Sequence, residues 1–87
     1  MRAMPTSDEF RSEVGLILRT AERNGLPYVE INAGELHRKL GGYPGHNHQM
    51  PSCCQAMEQE RRVLDEVIAG PPSGKGASLT VRYHLPR

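Results

Sequence analysis

Residues 78–85 read SLTVRYHL. Leu79, Val81, Tyr83 and Leu85 alternate with Ser78, Thr80, Arg82 and His84. A period of two marks a strand with one buried face, because successive strand side chains point to opposite sides. The apolar residues before position 64 follow helical spacing instead. A chain that changes period in this way belongs to the α+β class, with helices and a sheet sharing one core. DEVIAG, residues 65–70, is a plausible partner strand, and PPSGKG, residues 71–76, would turn the chain back. The C-terminal part is therefore expected as a β-hairpin with one buried face.

The first helix has clear ends. Thr6 and Glu9 have the spacing of a capping box. Phe10, Val14, Ile17, Leu18 and Ala21 share one face, and Gly25 stands at the expected stop. Leu16 lies off that stripe without a reason in the pattern. PYVEI, Pro27 to Ile31, reads as a short strand. Asn32 with Glu35 would cap a second, brief helix that carries Ala33, Leu36 and Leu40 and stops at Gly41. Gly41 to Met50 is too rich in Gly and Pro for regular structure. Pro51 suits the first turn of a third helix, and Ser52 with Gln55 offers a start one residue later. Cys53, Met57 and Leu64 align, with Cys54 and Ala56 at the flanks, and the helix is expected to end near Arg62. This order predicts one domain over residues 1–87, a winged helix-turn-helix-like fold of three helices followed by a C-terminal β-hairpin. In that architecture the third helix and the hairpin tip face DNA.

Composition narrows the function classes. Eighty-seven residues make one small domain, which buries about 60–65% of its unfolded surface. That leaves little room for an enclosed active site. The chain has no apolar run of about 18 residues, so no membrane helix is expected. MRAMPTSDEF lacks the apolar stretch of a signal peptide. The two cysteines are neighbours, and a disulfide between neighbours would be strained. Reduced thiols and a cytoplasmic location are the expectation. Net charge is only +1, but it is polarised. Residues 1–35 hold six carboxylates and four arginines. Residues 36–57 hold Arg38, Lys39 and three histidines with no acid, and residues 67–87 hold Lys75, Arg82 and Arg87 with none.

GGYPGHNHQMPSCCQAM, residues 41–57, concentrates the chemistry. His46, His48, Cys53 and Cys54 are zinc-ligand types. Adjacent cysteines on a helix point about 100° apart, so only one could join a shared ion easily. Cys53 is better placed as a small core residue beside Met57. No metal or cofactor is expected, although a zinc site built from His46, His48 and one cysteine stays open. His46-Asn47-His48 spells the name of the HNH nucleases, whose named residues are spread over a ββα unit. A contiguous triplet cannot reproduce that geometry, and residues 36–57 contain no carboxylate to hold magnesium. GPPSGKGAS has three residues between Gly70 and Gly74, one short of a Walker loop, and a strand follows instead of a helix. Cys53 as a nucleophile has His48 near in sequence but no orienting acid. No catalysis is expected.

Presentation of polar side chains remains. Arg38 and Lys39 end the second helix. Tyr43, His46, His48 and Gln49 lead into the third. Gln55, Gln59 and Arg62 lie away from its apolar stripe. Lys75 and Arg82 belong to the hairpin. Gln and Arg suit base edges, and His, Lys and Tyr suit phosphates. Glu58 and Glu60 on the same helix oppose that use. A protein-interaction module using the Gly41–Met50 loop is the alternative.

ELHRKLGGYPGHNHQMPSCCQAM and GPPSGKGASLTVRYHLPR resemble a small bacterial domain whose members share ELHR, GGYPG, HxMPxCC and PPSGKGASLTxRYxLPR. That domain is loosely associated with restriction-type and HNH-nuclease proteins. The likeness covers roughly residues 29–87. It implies DNA-related work without intrinsic catalysis. The expected function is a weak duplex-DNA-binding accessory or regulatory module.

Overall fold

The computed structural model describes residues 6–41, 49–71 and 76–87. Among them, in chain order, are α1 (Ser7–Arg23), β1 (Tyr28–Asn32), α2 (Ala33–Leu40), α3 (Met50–Gln59), β2 (Glu66–Ala69) and β3 (Thr80–His84). Tyr43, His46, His48 and Lys75 lie outside the described residues.

α1 starts on a reciprocal cap. The Glu9 N–H donates to Thr6 Oγ1 at 3.2 Å, and the Thr6 N–H donates to Glu9 Oε1 at 3.1 Å. Such a cap stabilises a helix by ~1 kcal/mol. Phe10, Val14, Leu18 and Ala21 form its buried face. Leu16 is half exposed, consistent with its place off the stripe. Gly25 adopts φ 75°, which lets the chain reverse and the Leu26 N–H reach the Ala21 carbonyl at 3.1 Å.

Asn32 joins two elements. Its Oδ1 accepts from the Glu35 N–H at 3.0 Å and caps α2. Its Nδ2 donates to Thr80 Oγ1 on β3 at 3.0 Å. Gly34 sits where α2 meets the chain before β3. A Cβ there would lie 3.0 Å from the Ala77 carbonyl oxygen, so only glycine fits without movement.

The sheet order is β1-β3-β2, antiparallel throughout. This corrects the expected fold. The winged helix-turn-helix of three helices followed by a C-terminal hairpin does not describe it, because strands and helices are interleaved. β1 lies between α1 and α2 in sequence and pairs with β3 from Tyr28↔His84 to Asn32↔Thr80. β3 is therefore the centre of a three-stranded sheet. Its alternating pattern marks one buried face but carries no signal that both edges are paired.

The hairpin's buried face also differs from expectation. Leu79, Val81 and Tyr83 are buried in one core with Phe10, Val14, Leu18, Leu36, Cys53 and Met57. β2 contributes no fully buried residue. A register shift between Val67 and Ala69 leaves Ile68 out of the pairing. The Tyr83 hydroxyl donates to the Met57 carbonyl at 2.7 Å, so the buried phenol is satisfied and ties β3 to α3.

α3 ends at Gln59, short of the expected Arg62. Leu64 does not continue its apolar stripe and is 71% exposed. The cause is the turn described below. No helix among the described residues is long and apolar enough to cross a membrane.

Candidate interaction surface

The described residues singled out for nucleic acid do not gather on one face. Arg82 leaves the sheet on the side opposite to buried Val81 and Tyr83, away from α3. Its Nη2 lies 2.7 Å from Glu30 Oε2, and its guanidinium stacks 4.8 Å from the centre of the Tyr28 ring. Lys39 Nζ lies 2.7 Å from Glu13 Oε2 on α1. Gln55, Gln59, Arg38 and Arg62 are exposed. Glu58 pairs with Arg61 at 2.7 Å, and Glu60 pairs with Arg11 at 3.3 Å. The polarisation of charge along the chain is thus offset at Lys39 and Arg82, which meet carboxylates from the acidic N-terminal third.

The cysteines are interior. Both are fully buried. Cys53 Sγ lies 3.5 Å from the Ala33 carbonyl, and Cys54 Sγ accepts from the Gly76 N–H at 3.3 Å. Burial, and then the neighbouring Cys54, push the Cys53 thiol up to about 12. It is therefore protonated at neutral pH, which disfavours nucleophilic use. Among the described residues no group of three or more His, Cys, Asp and Glu side chains is placed to hold a metal ion.

His37 is a residue whose role sequence reasoning missed. It is fully buried, edge-on to Phe10. The Gln49 N–H donates to its Nε2 at 2.8 Å, and its Nδ1 lies 3.0 Å from the Gly41 carbonyl. A backbone N–H can only donate, so Nε2 accepts and Nδ1 carries the proton to Gly41. One neutral imidazole therefore joins the residues on either side of 42–48.

A second unforeseen cluster lies between α3 and β2. The Asp65 carboxylate is almost entirely buried and accepts four hydrogen bonds. These come from the Arg62 N–H at 2.7 Å, the His84 N–H at 2.8 Å, and Arg87 Nη1 at 3.0 and 2.8 Å to its two oxygens. Burial alone would raise the Asp65 carboxyl. The two N–H groups and the Arg87 guanidinium outweigh it and hold the carboxyl below its ordinary value. Arg87 Nη2 also donates to the Glu60 carbonyl, and the Arg87 N–H to Glu22 Oε1 at 2.7 Å. The Asp65 N–H closes the turn on the Arg62 carbonyl at 3.0 Å.

The two central residues of that turn are Val63 and Leu64. Val63 is 98% exposed. Val67 and Ile68 on the neighbouring edge strand β2 are about half exposed and extend the apolar surface. A shallow groove beside the turn is lined by Arg62, Val63, Leu64, His84, Pro86 and Arg87. The only hint in the sequence was the adjacency of Val and Leu to Asp at the point where the helical period fails.

Comparison with family models, curated proteins and solved structures finds no match to this chain.

Proposed function

We propose that the domain is a protein-interaction module whose contact point is the Val63–Leu64 turn. The observation that carries this reading is that two adjacent aliphatic side chains stand in water on a backbone fixed by a buried ion pair. Burying an aliphatic side chain of this size is worth ~1.5–3 kcal/mol, and here that gain is left for another molecule. A rigid turn loses little conformational freedom when a partner covers it, which raises the affinity available from a small patch. β2 adds a strand edge next to the turn that no strand among the described residues pairs. The proposal contains no catalytic step and no cofactor. It moves the contact from the Gly41–Met50 loop to residues 62–68.

Weak duplex-DNA binding has less support. Of the cations it invoked, Lys39 and Arg82 already face carboxylates.

The test is site-specific photo-crosslinking in cells, with the reactive side chain at position 63 and, as a control, at position 35. The expected result is a discrete adduct from position 63 that disappears when Leu64→Asp is added. Equal adducts from both positions would defeat the reading.

A further inference from the structure

The apolar turn opens onto a second groove, between α1 and the connector, lined by Gly15, Leu18, Arg19, Glu22, Glu60, Arg62 and Arg87. Its charges are unequally spent. Arg87 is held by Asp65, Glu60 faces Arg11, and Glu22 accepts from the Arg87 N–H. The Arg19 and Arg62 guanidinium groups make no ion pair or hydrogen bond among the described residues. Arg19 lies across the floor of the groove, since a Cβ on Gly15 would be 3.2 Å from its Nη1. Arg62 lines both this groove and the one beside Val63 and Leu64. Two cations without an ion-pair or hydrogen-bond partner among the described residues therefore flank an exposed aliphatic pair.

We infer that the partner is a polypeptide segment with aliphatic side chains that cover Val63 and Leu64 and a carboxylate beside them that seats on Arg19 and Arg62. This rests on the proposed interaction module and names the chemistry of what it holds. Guanidinium groups match carboxylates with paired, parallel hydrogen bonds. A basic segment would meet two cations at the same place and be repelled. The apolar contact supplies affinity, and the charges decide which apolar segment is accepted.

The test uses a displayed library of 12-residue peptides with a fixed Leu-Leu core and every flanking position drawn from Asp, Ser and Lys. It is selected on the full chain, and the enriched peptides are titrated at low and high salt. The unaltered chain is expected to enrich Asp beside the core. The best Asp-flanked peptide should bind at least about tenfold tighter than its Lys-flanked counterpart, with that margin shrinking in salt. The double variant Arg19→Glu/Arg62→Glu should instead enrich Lys, and the milder Arg19→Gln/Arg62→Gln should enrich neither. Val63→Ser/Leu64→Ser should weaken all peptides alike. No flanking preference, or a preference unchanged by the arginine variants, overturns the carboxylate inference while leaving the apolar docking reading intact. Binding unaffected by the Val63/Leu64 variant, or no binding by any peptide, overturns the docking reading as well. A mixed-sequence DNA duplex that binds through Arg19 and Arg62 independently of Val63 and Leu64 would overturn both in favour of phosphate contacts.

Discussion

Arg87 Nη1 lies 2.8 Å from Asp65 Oδ2, an ion pair in which the arginine side chain is 10% exposed and the carboxylate 1%. It joins the segment after β3 to the connector between α3 and β2. Removing one partner of a buried pair leaves the other charge uncompensated, at a cost of about 3–5 kcal/mol. Arg87→Ala is therefore expected to lower stability by roughly 3 kcal/mol, read as a fall in the urea midpoint with an unchanged slope. A loss below about 1 kcal/mol would mean that the two backbone N–H groups hold Asp65 without the guanidinium.

The same carboxylate sets an acid limit. Its value in the folded chain is held below the ordinary one. The stabilisation is fully present above the unfolded carboxyl value of about 3.9, and it is lost as pH falls through the folded value. Stability measured from pH 6 downward should therefore fall more steeply in the unaltered protein than in Asp65→Asn. Parallel acid curves for the two would show that other carboxylates control the loss.

The cysteines give an accessibility prediction. Cys53 and Cys54 are fully buried, and the Cys53 thiol is pushed up to about 12. At pH 8 a thiol reagent should react with both only as fast as the chain opens, and at once in denaturant. Immediate labelling of the folded protein at Cys53 would contradict its place in the core.

How much of this was legible depended on distance along the chain. The Thr6 and Asn32 caps act on the residue three positions later, and both were readable. The alternation of Leu79, Val81 and Tyr83 is local, and their burial follows from it. Leu64 misled, because helical spacing from Cys53 and Met57 reaches it. Asp65, tied to His84 and Arg87 some twenty residues on, pulls the chain into a turn first. Charge failed for the same reason. Blocks of like sign in sequence said nothing of Lys39 meeting Glu13 or Arg82 meeting Glu30, since those pairs exist only after folding. The turn itself carries Leu64 in a place where helical spacing alone reads it as core.

His37 offers an independent check on the two backbone groups it joins. His37→Ala would leave the Gly41 carbonyl and the Gln49 N–H without the imidazole and open a hole beside Phe10. A cost of about 2–4 kcal/mol is expected from the lost hydrogen bonds and the cavity. Faster amide exchange at Gln49 should accompany it. An unchanged exchange rate at Gln49 would show that the bridge is not what orders the entry to α3.

The last prediction separates a residue kept for folding from one kept for contact. Val63 is 98% exposed, and Val81 is fully buried in the middle of β3. The two residues have the same side chain, so the environment alone decides their worth. Val81→Ala removes methyl groups from a packed core and should cost roughly 1–3 kcal/mol. Val63→Ala touches nothing that the fold buries, and its effect should fall within about 0.5 kcal/mol of zero. The order should reverse in a binding assay. Val63→Ala should weaken peptide binding severalfold, whereas Val81→Ala, measured at a temperature where it stays folded, should leave it nearly unchanged. A large stability loss from Val63→Ala would mean that the turn packs within its own chain, and the exposed pair would no longer point to a partner.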